Sequence, residues 1–528
     1  MTFHLICTLI LNEIRLRMRR LNTVVTMLVV IVLAWMMIPD PGTGNTLMSI
    51  NHARVLYTSS TMALGSASLA SLLLGLAGFY LVRGRIAEDL RSGSGSVIAA
   101  TPVGNVLFLC CRALGGTLYL LTLILALLGA MLICHLLRGE APIELGIYVQ
   151  TYVLLLLPMA LFCASCAILF DSFSPLMGKA GDVIFFFIWV GQLVLMAKID
   201  GSVAGRIDPA MYFDFIGLAT AMANLKAYVD TTYLSLGTAS FDPALTAITL
   251  PASLWSLKVM TIRAISALLA IMPLVPAIML FHRFSPDRVR MARARQRRSP
   301  LGYLNQWLRP FARLAQPLFR LAQALQGMTG QLVAEMALTV ASAPVAGLVL
   351  LLIPVLSLLL SATSLPGLLM LTVAIWGILI SDISTRDEQT TTADMTGSAA
   401  GGASLAYIRH LAASAGIGFM LTGVIALRWL VHEPVRAAAV ITGIISFSAI
   451  ANLLGRLSGT SRTFMSLFLF GLYVAVNTTH ISMIDAFGFN GVASLLSVSM
   501  QVLIAVAACS AGILQQTMKT WVVDIKGR

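Results

Sequence analysis

The sequence predicts an all-α, polytopic membrane protein with about 12 transmembrane helices in two parallel six-helix repeats. Hydrophobic residues make up 58% of its 528 residues and charged residues only 11%, whereas soluble proteins carry roughly 25% charged residues. Apolar runs of about 20 residues, the length that crosses a bilayer, recur about a dozen times along the chain. A polar, charged loop between two of these runs, Arg83 to Arg112, has a degenerate second copy at Arg386 to Arg409.

The first repeat is expected to fill residues 1–281. It begins with an amphipathic helix at 4–21, which we expect to lie on the membrane surface because its apolar and basic side chains fall on opposite sides. A cleavable signal is not expected, since Arg15 and Arg19 follow the apolar stretch rather than precede it. The spans of this repeat are expected at about 23–38, 58–82, 105–135, 146–170, 182–198 and 260–281.

Residues 199–259 form the longest loop without an excess of basic residues. Aromatic residues are interleaved with five aspartates, a pattern that suits the boundary between membrane and water. The aspartates are Asp200, Asp208, Asp214, Asp230 and Asp242.

Residues 282–330 are expected to form a cytoplasmic linker, because ten arginines stand there beside a single acid, Asp287. Positively charged loops stay on the cytoplasmic side of a membrane, and contact with anionic lipids fits the same charge. Nucleic-acid binding is the alternative for such a run. The position of the arginines beside membrane spans favours the membrane interpretation.

The second repeat is expected to fill residues 331–528. Aligning Glu335 with Glu13 gives an offset of 335 − 13 = 322, and aligning Arg409 with Arg112 gives 409 − 112 = 297. The difference of 25 places the change in length in the longer loop between the first two spans of the first repeat. The spans of the second repeat are expected at about 343–360, 366–382, 403–431, 435–455, 462–479 and 492–514.

The distribution of basic residues predicts that both termini are cytoplasmic. With the N-terminus inside, the arginines at 15–20, the charged loops and the basic linker all fall on the cytoplasmic side, whereas most outer loops are acidic or nearly neutral. Each repeat has an even number of spans, so the two repeats are expected to be parallel rather than inverted.

The motifs favour a chain without catalytic chemistry of its own. It lacks the G-x-x-x-x-G-K-[ST] cradle for phosphates, the G-x-S-x-G nucleophile turn, and paired His or carboxylates at metal-ligand spacing within the spans. Cys163 and Cys166 have the spacing of a redox pair, but no second pair or His lies near them, so we interpret them as packing residues. The predicted spans contain almost no charge, which disfavours a proton relay or ion pump. We therefore expect no bound cofactor or metal and an energy source outside the spans.

Three features occur in an informative order. An amphipathic basic helix precedes the first span, a run R-x-x-E-D-x-x-S-G-S…A-T-P-V…R lies between spans 2 and 3, and a longer outer segment separates spans 5 and 6. This order is similar to that of the membrane subunits of type-2 ATP-binding-cassette exporters, and the resemblance covers nearly the whole chain as two fused six-span units. It implies a permease of the cytoplasmic (inner) membrane that is driven by two separate ATPase subunits, which consume the ATP.

In that family the loop between spans 2 and 3 forms a coupling helix, so the resemblance implies that loops 83–104 and 384–402 receive the ATPase subunits. The second copy departs from the pattern, since the Thr-Pro-Val run at 101–103 becomes Ser-Ala-Ala at 398–400. The side chains implied in the coupling loops are Arg85, Glu88, Asp89, Arg91, Arg386, Asp387 and Glu388.

A substrate route between the repeats would pass polar side chains of spans 2, 5 and 11, although such residues are also typical of helix packing. The candidates are Thr58, Ser59, Thr61, Gln192 and Asn477. The mostly apolar lining favours export of a lipid-like, peptide or other amphipathic substrate. Two alternatives stay open: a membrane-embedded lipid or glycosyl transferase that uses the aspartates of loop 199–259, and an ion-coupled secondary transporter.

Overall fold

The computed structural model describes residues 2–527 apart from 201–207, 227, 230–232, 282–283, 285–314, 391, 393–394, 396–401 and 479. The chain divides into two compact units, Met1–Ala292 and Arg293–Arg528. The division falls inside the basic segment 282–330, where the sequence analysis placed the linker between the repeats.

The first unit is mainly helical. Its helices are α1 (Thr2–Met18), α2 (Leu21–Met37), α3 (Ser59–Val82), α4 (Arg85–Ser92), α5 (Ser94–Ala100), α6 (Asn105–Arg138), α7 (Leu145–Ser172), α8 (Lys179–Asp200), α9 (Leu218–Lys226), α10 (Leu257–Leu269) and α11 (Leu274–Leu280). α3 lies at the centre of the unit, because most of its side chains are buried and it packs along α7. The many Ser, Ala and Gly residues of α3 permit this close approach of helix backbones.

A three-stranded antiparallel sheet with the order β2-β1-β3 completes the first unit. β1 (Asn45–Ile50) pairs with β2 (Ala53–Arg54) and with β3 (Leu234–Ser240). The two residues between β1 and β2, Asn51 and His52, both have positive φ, which is the geometry of a two-residue hairpin turn. These strands were not predicted from the sequence, because β1 pairs with its longer partner only in the distant loop 199–259.

The second unit is also mainly helical. Its helices are α12 (Ala315–Ala324), α13 (Gly327–Ser342), α14 (Pro344–Leu359), α15 (Leu365–Ile380), α16 (Arg386–Gln389), α17 (Gly402–His432), α18 (Pro434–Ser458), α19 (Ser461–Asn477) and α20 (Leu495–Gly527). α18 packs against α17 and α20 and forms the centre of this unit.

Within the described residues, eight helices are long and apolar enough to cross a membrane, and the number rises to ten if each of two bent helix pairs is one span. The bent pairs are His4–Met18 with Thr23–Met37, at 73°, and Gly327–Ser342 with Ala346–Leu359, at 102°. The predicted spans at 182–198 and 462–479 coincide with α8 and α19, which are not among the eight. The prediction of a helical integral membrane protein is confirmed.

Two glycines delimit the short helix α4. Gly84 precedes it with φ 97° and Gly93 follows it with φ 74°, both in the left-handed region that a residue with a side chain adopts only at a cost. Gly84 therefore separates α3 from α4, and Gly93 separates α4 from α5. The candidate site lies where α4 follows the C-terminal end of α3.

Candidate functional site

A buried cluster of ion pairs lies at the C-terminal end of α3; we call Glu13, Arg17, Arg85, Glu88, Asp89 and Arg112 the first charged cluster. Its centre is the carboxylate of Glu13 on α1, whose oxygens lie 2.8 Å from Arg17, 3.4 Å from Arg85 and 3.7 Å from Arg112. A Cβ built on Gly115 of α6 would lie 2.8 Å from the Glu13 Cβ. Glycine at 115 thus lets α1 approach α6 closely enough for the carboxylate to reach three guanidinium groups.

The first charged cluster fixes α4 on α1 and α6 and joins α1 to α3. Arg112 of α6 pairs with Asp89 of α4 at 2.6 Å, and both side chains are buried. Arg17 donates hydrogen bonds to the carbonyls of Leu81 (3.2 Å) and Val82 (3.0 Å) in the last turn of α3. α1, α3, α4 and α6 are therefore connected by charge-assisted hydrogen bonds and ion pairs, the stronger class of polar contact.

Glu88 is the carboxylate of α4 that remains accessible. Its side chain is 46% exposed and pairs with Arg20 at 2.6 Å and with Arg85 at 2.8 Å. Exposed pairs of this kind contribute little to stability, about 0–1 kcal/mol. The buried contacts of Glu13 and Asp89, rather than Glu88, must therefore hold α4 in position.

A second set of buried charges lies at the junction of α3 and α4. Arg83, between α3 and α4, contacts Asp171 of α7 at 3.6 Å and forms a hydrogen bond with Asp182 of α8. Asp171 also accepts a hydrogen bond of 2.7 Å from the backbone N–H of Gly84. Asp182 stands at the start of the predicted span 182–198, but its partner Arg83 could not be identified without the packing of α3 on α8.

The second unit contains an equivalent set of residue types around Glu335, and we call Glu335, Asp382, Arg386, Asp387, Arg409 and His410 the second charged cluster. Glu335 lies 3.7 Å from Arg386, 3.6 Å from Arg409 and 3.8 Å from His410. Arg409 lies 4.0 Å from Asp387. These distances are longer than the 2.8 Å pair of Glu13 with Arg17 and the 2.6 Å pair of Asp89 with Arg112 in the first charged cluster.

The two clusters share a pattern that the sequence alignment had singled out. Glu13 and Arg112 meet in the first unit and Glu335 and Arg409 in the second. One difference concerns position 17: adding the offset of 322 leads to Thr339. The hydroxyl of Thr339 accepts a hydrogen bond of 3.2 Å from Arg386, so the second cluster lacks the guanidinium that joins α1 to α3 in the first.

The predicted coupling-loop residues differ in their accessibility. Arg85 and Asp89 are buried within the first charged cluster, whereas Glu388 is exposed. The side chain of Arg91 and much of the second loop, 393–394 and 396–401, lie outside the described residues. Apart from Glu88, the exposed side chains that the structure describes in the first loop are small or apolar, and they include Leu90 and Val97.

The predicted substrate-path residues make local hydrogen bonds. Thr58 caps α3 by accepting a bond of 3.4 Å from the N–H of Thr61, and Ser59 donates to the Pro142 carbonyl at 3.2 Å. Gln192 accepts a bond of 2.9 Å from the N–H of Phe215. Asn477 donates to the Tyr473 carbonyl at 2.8 Å in the last turn of α19. Each contact stabilises a helix end or a loop, and the role of these residues in a substrate path stays a prediction.

Sequence reasoning passed over a charge inside a span. Arg263 of α10 is fully buried, within the predicted span 260–281, and donates a hydrogen bond of 2.9 Å to the Leu154 carbonyl of α7. An ionisable side chain at this depth marks a candidate functional position. The signal was in the sequence, as a single arginine between apolar residues after a long loop.

Among the described residues, no group of three or more His, Cys, Asp or Glu side chains is arranged to hold a metal ion. Cys163 and Cys166 are both buried in α7, and the Cys163 Sγ lies 3.2 Å from the Gly75 carbonyl. The contact of Cys163 is one of close helix packing.

Comparisons of the chain with protein-family models, with curated proteins and with solved structures give no match. The similarity to type-2 ATP-binding-cassette exporters therefore rests on the sequence features that were quoted for it.

Proposed function

We propose that the chain is the permease subunit of an ATP-driven exporter in the cytoplasmic membrane, with twelve spans in two parallel repeats and both termini cytoplasmic. The observation that carries this proposal is the first charged cluster, which binds a short surface helix, α4, to α1 and α6 and connects α1 to α3 through Arg17. Such an element can receive force from outside the membrane, because a displacement of α4 must also displace α1, α3 and α6 or break buried ion pairs. Breaking a buried pair costs about 3–5 kcal/mol.

The ATPase subunits would bind the exposed apolar side chains of α4 and α5 rather than the charged side chains of α4. Val97 is 68% exposed and Leu90 is 37% exposed, and apolar side chains at the tip of a loop are suitable anchors for a partner protein. The buried Asp89 and Arg85 would then transmit the motion instead of making the contact. This division of roles refines the expectation that the charges of loop 83–104 contact the partner.

The second charged cluster supports a second docking loop at 384–402 and an internal duplication. Because its contacts are longer and it lacks an arginine at the position of Arg17, the two loops are expected to respond unequally to their ATPase subunits. The exported substrate is proposed to be lipid-like, peptide or otherwise amphipathic, since most side chains of the helices are apolar.

Substitution of Val97 by glutamate tests this proposal. In membranes that contain the chain and a separately encoded P-loop ATPase, Val97→Glu should abolish co-purification of the ATPase and leave the thermal stability of the chain unchanged, because Val97 is exposed. The control is Leu245→Glu, a change of similar chemistry at another exposed position. Co-purification that survives Val97→Glu, or that is lost equally with Leu245→Glu, would show that α4 and α5 are not the docking surface.

The transferase alternative rests on the aspartates of loop 199–259. Asp208 and Asp242 accept backbone hydrogen bonds from Ala210 and Ala244, at 2.8 and 2.9 Å, an arrangement typical of turns.

The alternative of an ion-coupled carrier is favoured by one observation, the buried Arg263. It predicts substrate transport that depends on an ion gradient and persists without ATP, so transport into vesicles lacking nucleotide distinguishes it from the exporter.

A further inference from the structure

The two units contain a similar buried loop that the charged clusters do not explain. Residues 213–218 read FDFIGL and residues 484–489 read IDAFGF, so both contain Asp-x-x-Gly followed by a large apolar residue. The aspartates, Asp214 and Asp485, are fully buried. The glycines, Gly217 and Gly488, have φ values of 84° and 73°. We call the two segments the D-x-x-G loops.

The first D-x-x-G loop penetrates deeply between the helices. A Cβ built on Gly75 of α3 would lie 3.5 Å from Ile216, and the Phe215 ring stacks on Phe162 of α7 at 4.3 Å. Gly75 is 75 − 59 = 16 residues from the start of α3, or about 24 Å along the helix axis. A bilayer core is about 30 Å thick, so Ile216 contacts α3 well within a helix that is long and apolar enough to span it.

The second D-x-x-G loop penetrates its own unit in a similar way. A Cβ built on Gly443 of α18 would lie 2.6 Å from the Ala486 carbonyl. The Phe487 ring lies 5.1 Å from Phe447 and 6.1 Å from Trp376 of α15. Gly443 is 443 − 434 = 9 residues from the start of α18, or about 14 Å along its axis.

The aspartates satisfy the backbone N–H groups of both loops. Asp214 accepts hydrogen bonds from Gly217 N (2.8 Å) and Thr220 N (2.7 Å). Asp485 accepts from Asn490 N (3.2 Å) and Val492 N (3.3 Å). Irregular backbone at membrane depth is tolerated only where protein or water satisfies its polar groups, so these carboxylates make the two loops possible.

One arginine in each unit holds the carbonyls of the loop. Arg263 donates to the carbonyls of Asp214 and, at 3.4 Å, Phe215, while its Nε bonds α7. Arg436 donates to the carbonyls of Gly488 and, at 3.1 Å, Phe489. Hydrogen bonds from a guanidinium to carbonyls can be exchanged for hydrogen bonds to water when a loop withdraws. An apolar contact that is lost when a loop withdraws is not replaced by a comparable contact with water.

We propose that the two D-x-x-G loops are re-entrant gates, each latched by one arginine, Arg263 in the first unit and Arg436 in the second. In the closed state, Ile216 and Phe215 seal the first unit, and Ala486 and Phe487 seal the second. When the guanidinium releases the loop carbonyls, water enters between the helices as far as Gly75 in the first unit and Gly443 in the second, from the end opposite the charged clusters. The gates do not depend on an ATPase, so this proposal stands or falls separately from the docking of a motor on α4.

Thiol reactivity at three depths tests the first gate in the full-length chain in native membranes. Six cysteines are replaced by serine and Cys163, fully buried in α7, is kept as the static reference; either Ile216→Cys or the exposed Leu245→Cys is then added. With a membrane-impermeant maleimide, the Leu245→Cys thiol should react within minutes, the Ile216→Cys thiol slowly but to completion, and Cys163 not at all over the same hours. If the Ile216→Cys thiol is as unreactive as Cys163, the loop is a fixed part of the core. If the Ile216→Cys thiol reacts as fast as the Leu245→Cys thiol, the loop does not seal the unit.

Variants of the latch test the role of the arginine. Arg263→Ala should raise the labelling rate of the Ile216→Cys thiol about tenfold or more, since hydrogen bonds to a charged group are lost. Gln192→Leu, which removes the acceptor for Phe215 N, should have a smaller effect in the same direction. Arg138→Ala is the matched control, because Arg138 holds the Ile38 carbonyl and contacts no part of the loop.

The second gate has the same design. Arg436→Ala should raise the labelling rate of an Ala486→Cys thiol, and folded variants are selected by monodisperse elution in detergent. An unchanged labelling rate in folded Arg263→Ala or Arg436→Ala protein would overturn the latch. Where a variant does not fold, the kinetics of the Ile216→Cys or Ala486→Cys chain with its arginine intact decide the question alone.

Discussion

Glu13 and Glu335 show how one carboxylate organises several arginines beside a membrane. Glu13 is buried and faces three guanidinium groups, at 2.8, 3.4 and 3.7 Å. Without it, Arg17, Arg85 and Arg112 would stand close together with too little counter-charge in a site that water does not reach. Glu335 faces two arginines at longer distances, so the loss of stability on removing the carboxylate should be smaller for Glu335 than for Glu13.

We expect Glu13→Gln to destabilise the first unit by about 3 kcal/mol, because it leaves buried arginines without a full counter-charge. The measurement is the apparent midpoint of thermal unfolding in detergent, followed by tryptophan fluorescence. Glu335→Gln is the matched control, with a smaller shift expected because its contacts are longer. An equal or larger shift for Glu335→Gln would contradict the ranking of the two clusters.

Gly217 combines two constraints that a single substitution can separate. Its φ is 84°, and a Cβ at this position would lie 2.7 Å from the Arg263 guanidinium. Gly217→Ala should therefore lower stability by more than the roughly 1–2 kcal/mol of left-handed backbone strain alone. Gly44 has φ 77° and nothing within 4 Å of its Cβ position, so Gly44→Ala measures the strain by itself. Equal losses of stability for the two variants would show that the guanidinium moves aside without cost.

At the scale of elements, α4 shows that a charged run in the sequence can be buried inside the unit or exposed to a partner protein. The run of charges at 85–91 is typical of an exposed loop. In the structure, however, Arg85 and Asp89 face α1 and α6 and are buried. Among the side chains of α4 that the structure describes, the exposed ones are Glu88, the apolar Leu90 and Ser92. The function of such an element follows from which of its faces is covered.

The strands β1 and β3 are far apart in the sequence, and an engineered disulfide can test the register in which they pair. Ser49 of β1 lies opposite Ser235 of β3, and directly opposed residues have Cα atoms about 4.5–5.5 Å apart, within disulfide range. In a cysteine-free chain, Ser49→Cys with Ser235→Cys should form a disulfide on mild oxidation, seen as a mobility shift that reductant reverses.

The control pair for the sheet is Thr46→Cys with Ser235→Cys. Thr46 lies opposite Ala239 rather than Ser235, so this pair should stay reduced. Cross-linking of the control pair and not of the opposed pair would mean that β3 is shifted along β1.

At the scale of the whole molecule, each unit has a charged cluster at one end of its central helices and a D-x-x-G loop that enters from the other end. In the first unit the cluster follows the end of α3 at Val82, whereas loop 199–259 begins at the opposite end of α8. In the proposed exporter, a polar anchor at one end and a loop held by an arginine at the other would let each unit alternate its access between two sides.

We predict that Ser96 and Leu245 face opposite sides of the membrane. In a cysteine-free chain, an impermeant maleimide should label Ser96→Cys only in inside-out vesicles and Leu245→Cys only in right-side-out vesicles. Both residues are exposed, so burial does not limit the reaction. Labelling of both thiols from the same side would require a different number of spans between α5 and β3.

The sequence by itself determined the class of protein and the residues at the centre of the clusters. Apolar runs and clustered arginines are local properties, and water and lipid act on them wherever the chain folds, so the helical membrane architecture was predictable. The alignment of Glu13 with Glu335 and of Arg112 with Arg409 needed only the order of residues along the chain.

Only the tertiary structure decided which charges are buried, which strands pair and where loop 199–259 goes. Asp89 and Arg263 are ordinary charges in the sequence; their burial depends on the approach of distant segments, α6 for Asp89 and α7 for Arg263. The same holds for β1 and β3, whose pairing requires the long loop to return. Contacts between residues far apart in sequence are set by packing and chain closure, and no local pattern of residues specifies them.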